Sequence, residues 1–175
     1  MKGVARLLAG MSLVALALVV LPGKMRADNE IWWYSESFDK STNEPAAYAL
    51  SNENSGTDSD GVIFFRCIGT DLASNFTAIV KVRKDDFYPA EKYDVTWSID
   101  EGPEPKSIWQ RVDGSFGGLQ LVGPRALELA FEMLRARKQV EIKTVHGSVV
   151  NNLIGYKEAI ARMLKHCVTP YVRPF

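Results

Sequence analysis

The chain has 175 residues, with 21 basic and 21 acidic side chains and two cysteines. Four of the bases and none of the acids fall in residues 1–27, so residues 28–175 carry 17 bases against 21 acids, a net of −4. That length suits one domain, and the charge lacks the basic excess that nucleic-acid binding calls for.

The N-terminus reads as an export signal. Lys2 and Arg6 make a positive head, residues 7–21 are an apolar run, and Pro22-Gly23 break it. About fifteen apolar residues are too few for a bilayer span, which takes roughly twenty, and the layout is that of a secretory signal. Residues 1–27 are therefore expected to be removed after Ala27, leaving one domain over 28–175. No second apolar run of spanning length follows, so the mature chain is expected to be soluble and periplasmic, with no transmembrane segment.

Strand signals dominate up to residue 122. The runs `IWWYS`, `AAYALS`, `GVIFFRCI` and `FTAIVKV` come first, with a polar loop, `LSNENSGTDSDG`, between the second and third. Asp58 and Asp60 in that loop lack the glycine and glutamate spacing of a calcium site. In `YDVTWSID`, Tyr93, Val95, Trp97 and Ile99 alternate with Asp94, Thr96, Ser98 and Asp100, the period of a half-buried strand. `SIWQRV` and `GGLQLV` are shorter strands separated by the turn residues Asp113-Gly114.

Helical periodicity follows. Gly123-Pro124 closes the last strand and starts a helix with an apolar stripe of Leu127, Ala130, Phe131 and Leu134. Arg135, Arg137 and Lys138 crowd its end, where cations complement the helix dipole; a basic patch for an acidic partner is the sharper alternative. `QVEIKTV` and `SVVNNLI` form a hairpin with His146-Gly147 at its tip, which makes His146 a turn residue before it is a base. A second helix runs from Tyr156 to Cys167, its stripe made by Tyr156, Ala159, Ile160, Met163, Leu164 and Cys167. The predicted fold class is α+β, a mostly antiparallel sheet with two helices packed on one face and one disulfide.

That disulfide joins Cys67 to Cys167. An oxidising compartment and an even cysteine count favour it. Zinc would need clustered ligands and a redox pair would be C-x-x-C, and neither spacing occurs. No metal or cofactor is expected.

No catalytic motif stands out: there is no G-x-S-x-G turn and no phosphate-cradling glycine loop. Paired carboxylates for glycan cleavage are open by composition at Asp85-Asp86, Asp100-Glu101 and Glu104. The aromatics carry more information. Trp32 and Trp33 are adjacent and on a strand point to opposite faces, so one is available at a groove or edge. Trp97, Trp109 and Arg111 put aromatic and basic groups close together and form the expected binding site.

Taken together, the early `IWWYS`, the strand ending in `FFRC`, `YDVTWSID`, `SIW`, the Gly-Pro helix, `LIGYKEAIARML` and the final cysteine resemble a family of small exported bacterial proteins. These include periplasmic accessory proteins associated with type VI secretion. The resemblance implies a periplasmic binding or assembly module with no enzymatic activity, whose partner is another envelope protein or a cell-wall component. The rivals are a small envelope hydrolase using paired carboxylates and a carrier of a small apolar ligand between sheet and helices.

Overall fold

Alternating side chains make the strands, and their pairing makes one sheet. The computed structural model describes residues 32–39, 44–51, 61–69, 71–82, 88–112 and 117–168. The expected export signal, Asp58 and Asp60, Asp85-Asp86, the Asp113-Gly114 turn and the tail after Val168 lie outside the described residues. The strands are β1 (Trp32–Asp39), β2 (Glu44–Ser51), β3 (Gly61–Ile68), β4 (Phe76–Val82) and β5 (Lys92–Ile99). They continue as β6 (Lys106–Arg111), β7 (Leu119–Val122), β8 (Gln139–Thr144) and β9 (Gly147–Asn152). Their order is β1-β2-β3-β4-β7-β6-β5-β8-β9, with each neighbour antiparallel.

The sheet is rolled. β9 packs against β3 and β4, which stand far from it in the strand order. Gly61 is where the two layers approach: a Cβ there would meet the Val149 side chain and lie 2.6 Å from the Lys81 carbonyl oxygen. Only glycine fits such an approach. At the other end of β9 the roll is tied to β1. The Trp32 amide donates to the Ile154 carbonyl at 3.1 Å, and its indole N–H donates to the Asn152 carbonyl at 2.7 Å.

Three helices accompany the sheet: α1 (Leu72–Asn75), α2 (Pro124–Arg135) and α3 (Tyr156–Val168). The single turn α1 is too short for a periodic signal. Its only sequence cue is Asp71, whose carboxylate accepts from the Ser74 amide at 3.3 Å and the Ser74 hydroxyl at 2.5 Å. Gly123 precedes α2 with φ 73°, its amide donating to the Phe76 carbonyl at 2.8 Å, and Pro124 then opens the helix. α2 lies against β4 and β7, and α3 against β1, β2 and β3.

The α3 stripe matches its periodicity, with Tyr156, Ala159, Ile160, Met163 and Cys167 buried and Leu164 partly so. The α2 stripe is rotated from expectation. Its buried residues are Ala126, Leu129, Ala130 and Met133, while Leu127 and Leu134 sit at the flank and Phe131 is 45% exposed. Two apolar rows run along this helix; the row carrying two alanines faces the sheet, where small side chains allow a close approach. The β8–β9 turn is also shifted by one residue: it consists of Val145 and His146, and Gly147, at φ 139°, already begins β9.

Cys67 and Cys167 are bonded, with Cα atoms 6.1 Å apart across 100 residues of sequence. The bond fixes α3 to β3 in the middle of the apolar core. At the opposite end of α3 Trp32 meets Tyr156 edge-on at 4.8 Å, and Phe65 lies 5.8 Å from Tyr156. The architecture is thus α+β, an antiparallel sheet with two long helices and one disulfide. No helix among the described residues is long and apolar enough to cross a membrane.

Candidate functional site

The expected site residues divide between core and surface. Trp97 and Trp109 are 3% and 0% exposed. The Trp97 indole donates to Glu132 Oε2 of α2 at 3.2 Å, and the Trp109 indole donates to Ser107 Oγ at 2.7 Å. Both rings stand on the inward side of β5 and β6, where alternation sends every second residue. Trp109 is paired with Tyr93 across the two strands.

Arg111 lies two residues beyond Trp109 and emerges at the strand end, partly exposed. Its Nη1 donates to the Tyr88 carbonyl at 3.0 Å and the Pro89 carbonyl at 3.4 Å, and its amide donates to the Glu91 carbonyl at 2.9 Å. Those bonds fix both backbone and guanidinium to the segment leading into β5. Beside it opens a depression of about 290 Å³ lined by Glu91, Lys92, Gln110 and Arg111. Lys92 and Gln110 are direct cross-strand partners, so they enter this site together.

An aromatic wall backs the Arg111 segment. Tyr88 is 2% exposed and packs edge-on against Tyr93 at 5.1 Å and His146 at 4.7 Å. The Tyr93 hydroxyl accepts from the Ala90 amide at 2.6 Å. His146, in the β8–β9 turn, thus packs as an aromatic beside the β5 lead-in. The structure joins Arg111 to a polar rim of Glu91, Lys92 and Gln110, and leaves Trp97 and Trp109 behind it as core.

Of the described carboxylates singled out for glycan chemistry, Asp100 and Glu104 are engaged elsewhere. Asp100, at φ 51°, accepts from three successive amides: Arg137 at 2.7 Å, Lys138 at 2.7 Å and Gln139 at 3.0 Å. The Arg137 amide, with the other two amides and the Lys138 charge, holds its carboxyl below the ordinary aspartate value against a desolvation effect that raises it. This carboxylate ties the β5 turn to the α2–β8 connection. Glu104 pairs with Lys143 at 2.6 Å, a hydrogen bond that raises the lysine's pKa. Glu101, at φ 63°, occupies the same exposed turn.

Other sequence expectations also find their places. Trp32 is buried, and Trp33 on the opposite face of β1 is half-buried. The side chains of Arg135, Arg137 and Lys138 are exposed around the end of α2. The space between sheet and helices is filled by rings, Trp32, Phe65, Phe76 and Tyr156 among them. Among the described residues no group of three or more His, Cys, Asp or Glu is placed to hold a metal ion.

Comparison with models of known families, with curated proteins and with solved structures finds no match. The residues missed by sequence reading are Glu91, Lys92 and Gln110. Their signal was the cross-strand register that sets Lys92 against Gln110, which no local pattern prints.

Proposed function

We propose that the protein is an exported, non-enzymatic binding module of the bacterial periplasm, acting on an envelope component through the Arg111 depression. In this reading both long helices cover one face of the sheet, and the strand ends of β5 and β6 carry recognition. The N-terminal signal pattern and the buried Cys67–Cys167 bond support an oxidising destination. The likeness to secretion-associated accessory proteins supports a partner in envelope assembly or secretion.

The observation that carries the proposal is the fixed position of Arg111. Two backbone carbonyls hold its guanidinium at the mouth of a polar depression. A side chain ordered before its ligand arrives loses less rotamer freedom on binding. Arginine is also suited to planar, two-pronged recognition of carboxylates. Trp97 and Trp109 serve by supporting the strands behind it.

The test is affinity capture from a periplasmic extract, with the disulfide-intact protein as bait and the variants Arg111→Ala and Lys92→Ala beside it. Circular dichroism checks that each variant is folded. Loss of partners captured by the parent protein supports the proposal. Retention of every partner by both folded variants rejects it.

A further inference from the structure

Arg66 stands between Phe65 and Cys67 on β3, so alternation turns its side chain away from the core that those two residues enter. It is half-buried on that outer face, and its Nε is buried with no hydrogen-bond partner. Among the described residues no carboxylate pairs with its guanidinium. A buried donor on a charged group is costly without an acceptor, and an acceptor from outside the chain removes that cost.

The strand register builds a site around this arginine. Tyr48 on β2 and Thr77 on β4 are its direct cross-strand partners, and the same row reaches Ser35 on β1. Side chains directly opposite share a face with Cβ atoms about 5 Å apart, so two hydroxyl-bearing residues flank the guanidinium. The next row is apolar: Trp33, Leu50, Phe64 and Ile79 lie in register across the same four strands. Phe64 and Ile79 are buried there, while Trp33 and Leu50 are partly exposed. In the strand order β4 and β7 separate β3 from β6, so this is not the Arg111 depression.

We propose that Arg66 anchors a second binding site, for the carboxylate of a medium-chain fatty acid whose chain runs over Leu50 to Trp33. Nε and one Nη of an arginine form a fork that matches the two oxygens of a carboxylate. Tyr48 and Thr77 add hydroxyl donors beside it. The row holds one cation, which suits a monoanion better than a phosphate dianion. From the spacing of strands and residues, Arg66 and Trp33 are roughly 12 Å apart, a span for a chain of several methylenes. The proposal goes beyond the function proposed above and does not depend on it.

The experiment is a ¹⁵N NMR titration of the disulfide-bonded protein with decanoate below its micelle concentration, beside decanol and acetate. Saturable shifts of the Tyr48, Arg66 and Thr77 amides are expected with decanoate. Decanol, which lacks the charge, and acetate, which lacks the chain, are each expected to bind at least about tenfold more weakly. Arg66→Gln is expected to bring decanoate down to the affinity of decanol and to leave decanol unchanged, which a folding defect would not do. Equal binding of decanoate and decanol to the parent protein, or no shifts at these amides, overturns the carboxylate site. Equal binding of acetate overturns the apolar chain, and an Arg66→Gln variant that still prefers decanoate overturns Arg66 as the anchor. The ligand comparison on the parent protein holds whether or not the variant folds.

Discussion

Two regions of the sheet are built on opposite terms. Where β1–β3 meet α3, large rings, a covalent bond and internally satisfied donors leave little polar surface. Trp32 spends both its N–H groups on the last residue of β9 and the turn after it, and the Tyr156 hydroxyl donates to the Ala130 carbonyl of α2 at 3.0 Å. Burial raises the Tyr156 pKa well above the ordinary tyrosine value, which keeps it a neutral donor. Where β5 and β6 meet the Arg111 depression, the lining groups are polar or charged and at least partly exposed, and Arg111 is held by bonds to backbone carbonyls. The apolar packing and the covalent bond are concentrated in the first region, and the second is lined by polar and charged groups.

The largest way to break this contrast is to open the clasp. Removing the disulfide with Cys67→Ser/Cys167→Ser is expected to cost about 4 kcal/mol, since the bond closes a loop of roughly a hundred residues. Urea unfolding of the oxidised parent and the variant measures it. Trp32→Ala is next, at about 3 kcal/mol, because it leaves a cavity beside Phe65 and Tyr156 and removes the indole bond between β1 and β9. The readout is again the urea midpoint, and a cost below about 1 kcal/mol would place the closure of the roll elsewhere.

Asp100 offers a third, smaller test at the turn after β5. Asp100→Ala is expected to lose about 1–2 kcal/mol, since three amides lose their acceptor. The effect should depend on pH. The folded carboxyl titrates below its ordinary value of 3.8. Its contribution is therefore complete above that value and declines as pH falls through the folded pKa. The difference between parent and variant should accordingly hold from neutral pH to about 5 and shrink in stronger acid, as followed by urea midpoints across pH.

The smallest effect belongs to the exposed pair Lys106–Asp94, 2.8 Å apart with side chains 61% and 60% accessible. Lys106→Ala is expected to change stability by no more than about 0.5 kcal/mol. A larger loss would show that the β5–β6 region is held by surface charge, and the contrast between the two regions would fade.

Much of the frame was legible in the sequence because it is written in local periods. `GVIFFRCI` and `FTAIVKV` coincide with β3 and β4, and the α3 stripe runs straight to Cys167. The pairing of Cys67 with Cys167 followed from compartment and parity. Strand order was not legible, because β7 inserts between β4 and β6 and that choice rests on contacts far apart in sequence. The rotation of α2 was hidden by two overlapping apolar rows. The site was half legible. Arg111 stands out beside Trp109, but the tryptophans that drew attention are spent on the core. Their neighbours Glu91, Lys92 and Gln110 acquire meaning only once β5 and β6 are in register.

The most direct test sets binding against stability in one variant. Arg111→Ala should stay within about 1 kcal/mol of the parent's stability in urea unfolding and lose the partners that the parent captures. A folded variant that still captures every partner, or one that unfolds as readily as the disulfide-free protein, would contradict the separation of clasp from contact surface.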